Sequence, residues 1–401
     1  MDPHPEPKTP ARPIRQLNSI AAARLVPSFC ILASHLSFEN VFKDGTTQGA
    51  YYRIFNPLGF NSVSFFIVLS GFILTWISID RAPGPGFKTK RLLRILPVHF
   101  ITWAVIVCAF GALLPKKSLA ATLTLLQGWI PDHSVYFSVN APAWTLSTEI
   151  VLYLAFPWIH RFLTGRTTDF LLTALVGLVA VLVLLPAVLQ SLPDGATFSN
   201  AAFSERGRLV DVSEWKYWLV YISPFTRFLE ALCGVLTCLL VVRGKWPKSV
   251  LLPSLLLVAA VVAEELWAPF LMTLSAFTIV PVVLLIGSLA AREIGSRTTT
   301  SKIVGKVSAL GKYTFGIYMY QWVLILLCEQ YLRPWGNSLL SGILLIAVFY
   351  AVCLAISVLS NRWIETPVNS FMRPNIAARA AARPGGPRTA SPAPERATAG
   401  S

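Results

Sequence analysis

Charge is what this chain has least of. Only 13% of its 401 residues are Asp, Glu, Lys or Arg, against about 25% in soluble domains, while 54% are hydrophobic and mean hydropathy is +0.61. That balance excludes a free-standing soluble domain and places the chain among polytopic membrane proteins. Acidic residues are scarcer than basic ones, 19 against 34, for a formal net charge of +15. There are five histidines and six cysteines. Every cysteine (Cys30, Cys108, Cys233, Cys238, Cys328, Cys353) falls in an apolar stretch, and no CxxC pair occurs. No histidine has ligand spacing to a cysteine or to another histidine, so neither a disulfide framework nor a metal site is expected. No cleavable signal peptide is expected from the first nineteen residues, which are Pro-rich and polar, without an apolar segment.

What is present is a series of apolar windows near twenty residues. They fall at about 20–39, 58–78, 95–114, 145–163, 169–190, 219–242, 249–267, 269–290, 313–332 and 338–360. The expected fold is therefore an all-α polytopic bundle of about ten transmembrane helices. With the N-terminus inside, 25 of the 34 Lys and Arg lie in inner segments, eight lie in outer loops, and Arg227 lies within a window. This bias places both termini in the cytoplasm by the positive-inside rule. It also accounts for the net charge through anionic headgroups, with no need of nucleic acid. The organisation is then a cytoplasmic arm (1–19), a transmembrane domain (20–372) and a tail (373–401) too rich in Ala, Pro, Gly and Arg to fold. Two long outer loops, about 115–144 and 191–218, could shape an entrance. No internal repeat of the inverted-repeat kind is visible.

Several windows carry charge that a bilayer rejects, at roughly 2.5–3.5 kcal/mol for each group near the centre. Arg24 and His35 are eleven residues apart, within about 20° of three full helical turns, so both point to one side and could line one cavity about 16 Å apart. Each has a bland alternative: Arg24 snorkelling to headgroups, His35 packing. Glu149, five residues into the fourth window, has a depth of about 8 Å, as does His35, so a His–Glu contact is sterically reasonable. Ser64, Ser70 and Gly71 are small residues that let helices approach. Arg91 and Arg94, one turn apart at the inner edge, suit either headgroup contact or an anion such as phosphate. Arg227 and Glu230, three residues apart, read as a mutually neutralising pair.

In order along the chain stand Arg24-x10-His35, FFIVLSGFILTW (65–76), KRLLRILPVH (90–99), WTLSTEIVLY (144–153), SPFTRFLEALCGVL (223–236), LGKYTFGIYMYQW (310–322) and IETP (364–367). This set resembles the acyltransferase-3 family of integral membrane O-acyltransferases, which modify polysaccharides, nodulation factors and macrolide antibiotics. The resemblance implies a cytoplasmic acyl-CoA donor, commonly acetyl-CoA, and a hydroxyl acceptor on a sugar, glycolipid or macrolide. It implies His35 as catalytic residue with Arg24 and Glu149 beside it. It also implies Arg91 and Arg94 on the CoA phosphates, and Ser70 and Trp144 in the donor site. One departure is Gln321, where many members have His; an amide cannot titrate near neutral pH. A second is the absence after the tenth window of the extracytoplasmic hydrolase-like domain some members carry, which tilts toward a small acceptor. Other acyl-transfer signatures do not fit: no GxSxG occurs, and Asn40 stands where an H-x4-D motif starting at His35 needs Asp. Two alternatives stand beside an enzyme of the cell membrane: a transporter or flippase for a glycolipid or drug, and a catalytically silent relative.

Overall fold

The computed structural model of the chain describes residues 16–80, 82–111, 114–199, 204–205, 208–295 and 302–372. The expected cytoplasmic arm falls mostly, and the expected unfolded tail wholly, outside the described residues.

The first crossing is broken. α1 (Asn18–Ala23) and α2 (Leu25–Leu36) meet at a single turn residue, Arg24. A six-residue helix cannot satisfy its own first N–H groups, so the backbone N–H of Asn18 and of Ser19 donate to the Glu293 carboxylate, each at 2.9 Å. α3 (Gly45–Trp76) follows, starting thirteen residues before the apolar window expected at 58–78. Hydropathy registers only its apolar part. The polar first turns are helical because Asp44 caps them through the Thr47 N–H (2.7 Å). They pack back on α2, with the Tyr51 hydroxyl donating to the Ala33 carbonyl (2.7 Å).

Next come α4 (Phe87–Phe110), the short α5 (Lys116–Leu123) and α6 (His133–Tyr136), then α7 (Thr145–Thr164) and α8 (Thr168–Gln190). After α8 lie the only strands among the described residues, four of two residues each. β1 (Thr197–Phe198) pairs with β4 (Val212–Ser213), and β2 (Ser204–Glu205) with β3 (Arg208–Leu209). α9 (Glu214–Tyr217) runs through one π-helical turn, 218–222, into α10 (Pro224–Val242). The bundle closes with α11 (Leu251–Trp267), α12 (Ile279–Gly295), α13 (Lys302–Leu310), α14 (Thr314–Tyr331) and α15 (Leu339–Ser360). Each of the ten expected windows holds a helix. Among the described residues seven are long and apolar enough to cross a membrane; of the other three, α7 and α14 are more polar and α11 is shorter.

Outward faces of α8, α11 and α15 carry exposed apolar side chains such as Val176, Leu184, Leu255, Val258, Leu340 and Leu344, as lipid contact requires. At the centre, α3 and α10 touch backbone to backbone. A Cβ on Gly71 would lie 1.9 Å from the Ala231 carbonyl oxygen, and one on Gly234 would lie 1.8 Å from that of Val68. Between the same helices sits the Arg227–Glu230 pair, fully buried. Arg227 Nη1 donates to both Glu230 oxygens and to Ser64 Oγ (2.9 Å each), while Nη2 donates to the Val220 carbonyl (2.8 Å). The pair neutralises itself, and Ser64 is a hydrogen-bonding partner as well as a small residue.

The segment 116–144 does not stay outside as a loop. Gln127, Gly128 and all of Ala141–Trp144 are buried. Ser147 Oγ donates to the Leu125 carbonyl (2.7 Å) and accepts from the Gly128 N–H (3.3 Å). α7 therefore begins inside the bundle.

Candidate active site

Two cavities adjoin along the bundle, sharing Ile31 of α2, Val63 of α3 and Tyr318 of α14 in their walls. The first, of about 120 Å³, is cationic. Arg24 enters it from the joint between α1 and α2, where a break in the helix lets a long side chain turn inward. Arg91 and Arg94 enter from successive turns of α4, and Glu149 and Tyr153 from successive turns of α7. Three guanidinium groups face one carboxylate in the lining. Ser70 of α3 donates a hydrogen bond to Glu149 Oε1, and the Tyr153 hydroxyl lies against the same carboxylate. Glu149 Oε2 and Arg24 Nε are buried with no hydrogen-bond partner. Glu365, from the Ile364–Pro367 motif, lies within electrostatic reach of Arg94. Buried polar atoms without partners and an excess of positive charge are costly unless an anion completes them.

The second cavity, of about 320 Å³, has no Lys, Arg, Asp or Glu in its lining. His35 stands in it on the last turn of α2, its ring edge-on to Trp322 at 5.3 Å. His35 Nδ1 is buried without a partner. The rest of the wall is aromatic. Trp144 packs on Tyr221 at 5.1 Å, and Phe60 and Tyr217 meet the same ring at 5.0 and 5.6 Å. Behind that wall the Arg227 guanidinium stands 4.8 Å from the Tyr221 ring centre. Both long segments expected to shape an entrance contribute, 115–144 through Phe137, Ala141 and Pro142, and 191–218 through Tyr217.

The residues singled out in the sequence therefore divide. Arg24, Arg91, Arg94, Ser70 and Glu149 meet in the cationic cavity; His35 and Trp144 meet in the aromatic one. The His35–Glu149 contact suggested by depth is not made, and Arg24 and His35 line adjoining cavities rather than one. Depth counting failed because α7 starts inside the bundle, which carries Glu149 past His35 to the level of the arginines. Gln321 lines neither cavity: it is buried, and its Nε2 donates to the Tyr318 carbonyl at 3.1 Å. The departure from histidine thus falls beside the two cavities and in the lining of neither, with Gln321 Oε1 buried and without a partner. The residues the sequence did not single out are Tyr153, Tyr221, Tyr318 and Trp322. The last two lie inside the 310–322 motif; Tyr221 stands in an aromatic-dense run, YWLVYISPF (217–225), that signals such a wall.

One further group gathers ligand-type atoms. Asp132, His133 and Glu214 bring theirs within 4.8 Å of one another, a set invisible to spacing rules because Glu214 is distant in sequence. Asp132 is held by Lys117 (2.6 Å) and Glu214 by the ring and backbone N–H of His133 (2.9 and 2.7 Å). The cluster ties the segment before α7 to the segment before α10.

Residues 17–362 match the profile of the acyltransferase domain family, acyltransferase-3. The chain belongs to that family. The acyltransferase is also 28% identical over 374 residues to acyltransferase MdmB of Streptomyces mycarofaciens, a match covering 89% of this chain and 92% of that protein. No solved structure matches it. With its apolar, outward-facing helices, the protein is a membrane-bound acyltransferase.

Proposed function

We propose that this acyltransferase moves an acyl group, in the first instance acetyl, from cytoplasmic acyl-CoA to a hydroxyl of a sugar, glycolipid or macrolide-type product at the far side of the cell membrane. Ten helices cross the bilayer and both termini are cytoplasmic, so that the Lys- and Arg-rich segments, including the start of α4, face inward. The observation that carries this reading is the abutment of a cationic cavity and an uncharged aromatic one. Arg24, Arg91 and Arg94 hold the anionic donor, with bidentate guanidinium forks matched to phosphate. Glu149, braced by Ser70, balances part of their charge.

The acceptor lies in the aromatic cavity, whose rings suit the apolar face of a sugar or macrolide, with Trp144 at its wall. His35 takes the proton from the acceptor hydroxyl as its oxygen forms the bond to the thioester carbonyl. The carbon–sulfur bond then breaks, and the leaving CoA thiolate recovers the proton from the imidazolium. A general base of this kind contributes typically 10²–10⁴-fold. The test is acetyl-CoA turnover by purified protein in detergent, read as free CoA. His35→Ala should lower turnover by roughly that factor with insertion and melting unchanged. Turnover that survives His35→Ala removes this mechanism, and export of a glycolipid or drug without CoA dependence would replace it with transport.

A further inference from the structure

The two cavities differ in charge, yet they share three wall residues, and those three come from three different helices. Ile31 lies about 10 Å along the helix axis from Arg24 and about 6 Å from His35, between the two functional levels. Ile31 and Val63 are almost fully buried, so neither is lipid-facing. Tyr318 is fixed from the opposite side: its hydroxyl donates to the Pro142 carbonyl at 2.7 Å and meets Thr145 Oγ1 at 3.1 Å. Pro142 lies in the buried turn just before α7 and Thr145 is the first residue of α7, so the ring is tied to the junction that separates Trp144, on the aromatic side, from Glu149, on the cationic side.

We infer that Ile31, Val63 and Tyr318 form a partition which the acyl group crosses while the nucleotide stays behind it, and that their bulk sets the largest acyl group transferred. This rests on the donor assignment proposed above. A charged CoA head is retained by the arginines. The thioester end is slim and uncharged, and it passes between two aliphatic side chains and a tethered ring. Beyond the partition, acyl chain and acceptor compete for the same 320 Å³, which further favours short chains.

The test needs no acceptor. Equilibrium dialysis with CoA measures donor binding, and photolabelling with short- and long-chain acyl-CoA carrying a diazirine at the acyl tip maps the tip by mass spectrometry. In the wild type the short chain should label Trp322 and Phe38, and the long chain should not. Val63→Phe should keep CoA affinity within about twofold while labelling of those residues falls at least tenfold. Val63→Ala, a mild change that keeps the fold if the larger ring does not, should raise long-chain labelling of Trp322 about tenfold, the discrimination typical of one or two methylene groups. Wild-type protein that fails to bind CoA overturns the donor assignment and the partition together. CoA binding with labelling unchanged in both variants overturns the partition alone. Loss of CoA binding in Val63→Phe, with melting intact, overturns it too, because the two cavities would then be one site.

Discussion

Glu230→Gln probes the centre of the bundle. The wild-type carboxylate neutralises Arg227, which is fully buried and further bonded to Ser64 and to the Val220 carbonyl. Glutamine keeps the shape and the acceptor oxygen but removes the charge, leaving a guanidinium uncompensated among helices. Removing one partner of a buried pair costs roughly 3–5 kcal/mol. At 1.4 kcal/mol per tenfold, that is on the order of a hundred- to several-thousand-fold in the folded-to-unfolded ratio. Replacing both partners, Arg227→Met with Glu230→Leu, removes the stranded charge. It leaves the Val220 carbonyl without its donor, a loss of about 1–3 kcal/mol. The double variant should therefore melt between wild type and Glu230→Gln. The assay is thermal unfolding in detergent followed by tryptophan fluorescence. If Glu230→Gln melts with the wild type, or the double variant melts at or below the single one, the charge-balance argument is wrong.

Gly234→Ala should destabilise by about 1–3 kcal/mol, because the new Cβ meets the Val68 carbonyl. Gly177→Ala on α8, where nothing lies within 4 Å, should be harmless, and paired melting curves decide. In the segment before α7, Asp132 has its carboxyl held below the ordinary range, first by the hydrogen bond from Lys117 and then by Ser134. A depressed pKa stabilises above the unfolded value of about 3.9 and that contribution is lost as pH falls through the folded value, so Asp132→Asn should flatten acid unfolding below about pH 4. The effect at neutral pH should be small because the group is half-buried and its ion pair with exposed Lys117 is screened by solvent.

Much of the architecture was legible because lipid imposes a simple rule on sequence. Every apolar window became a helix, and the charges within the windows face protein rather than lipid, Arg227 and Glu230 fully buried and Arg24 and Glu149 lining a cavity. The self-neutralising reading of Arg227 and Glu230 needed only their spacing. What could not be read was anything set by polar segments. Hydropathy does not see the first turns of α3, nor the folding of 116–144 into the bundle. That second omission moved Glu149 away from His35 and toward the arginines. The aromatic cavity is assembled from α2, α3, α14 and both long connecting segments, so no single motif announces it. Tyr318 illustrates the limit: it lies in a motif, but its importance comes from a bond to Pro142, far away in sequence.

The glycine contacts between α3 and α10 also govern how the molecule can move. Two helices that touch at Gly71 and Gly234, and are joined by Ser64 of α3 to Arg227 and Glu230 of α10, can neither slide nor separate without breaking those buried hydrogen bonds. They form a stator. α3 supplies Val63 to both cavities and Ser70 to the cationic one, so one wall of each is immobile. Any breathing that admits or releases a molecule is left to the remaining walls, where α2 is jointed at Arg24 and α14 is held to the start of α7 and the turn before it by Tyr318 and by Asn140, whose Nδ2 donates to the Met319 carbonyl.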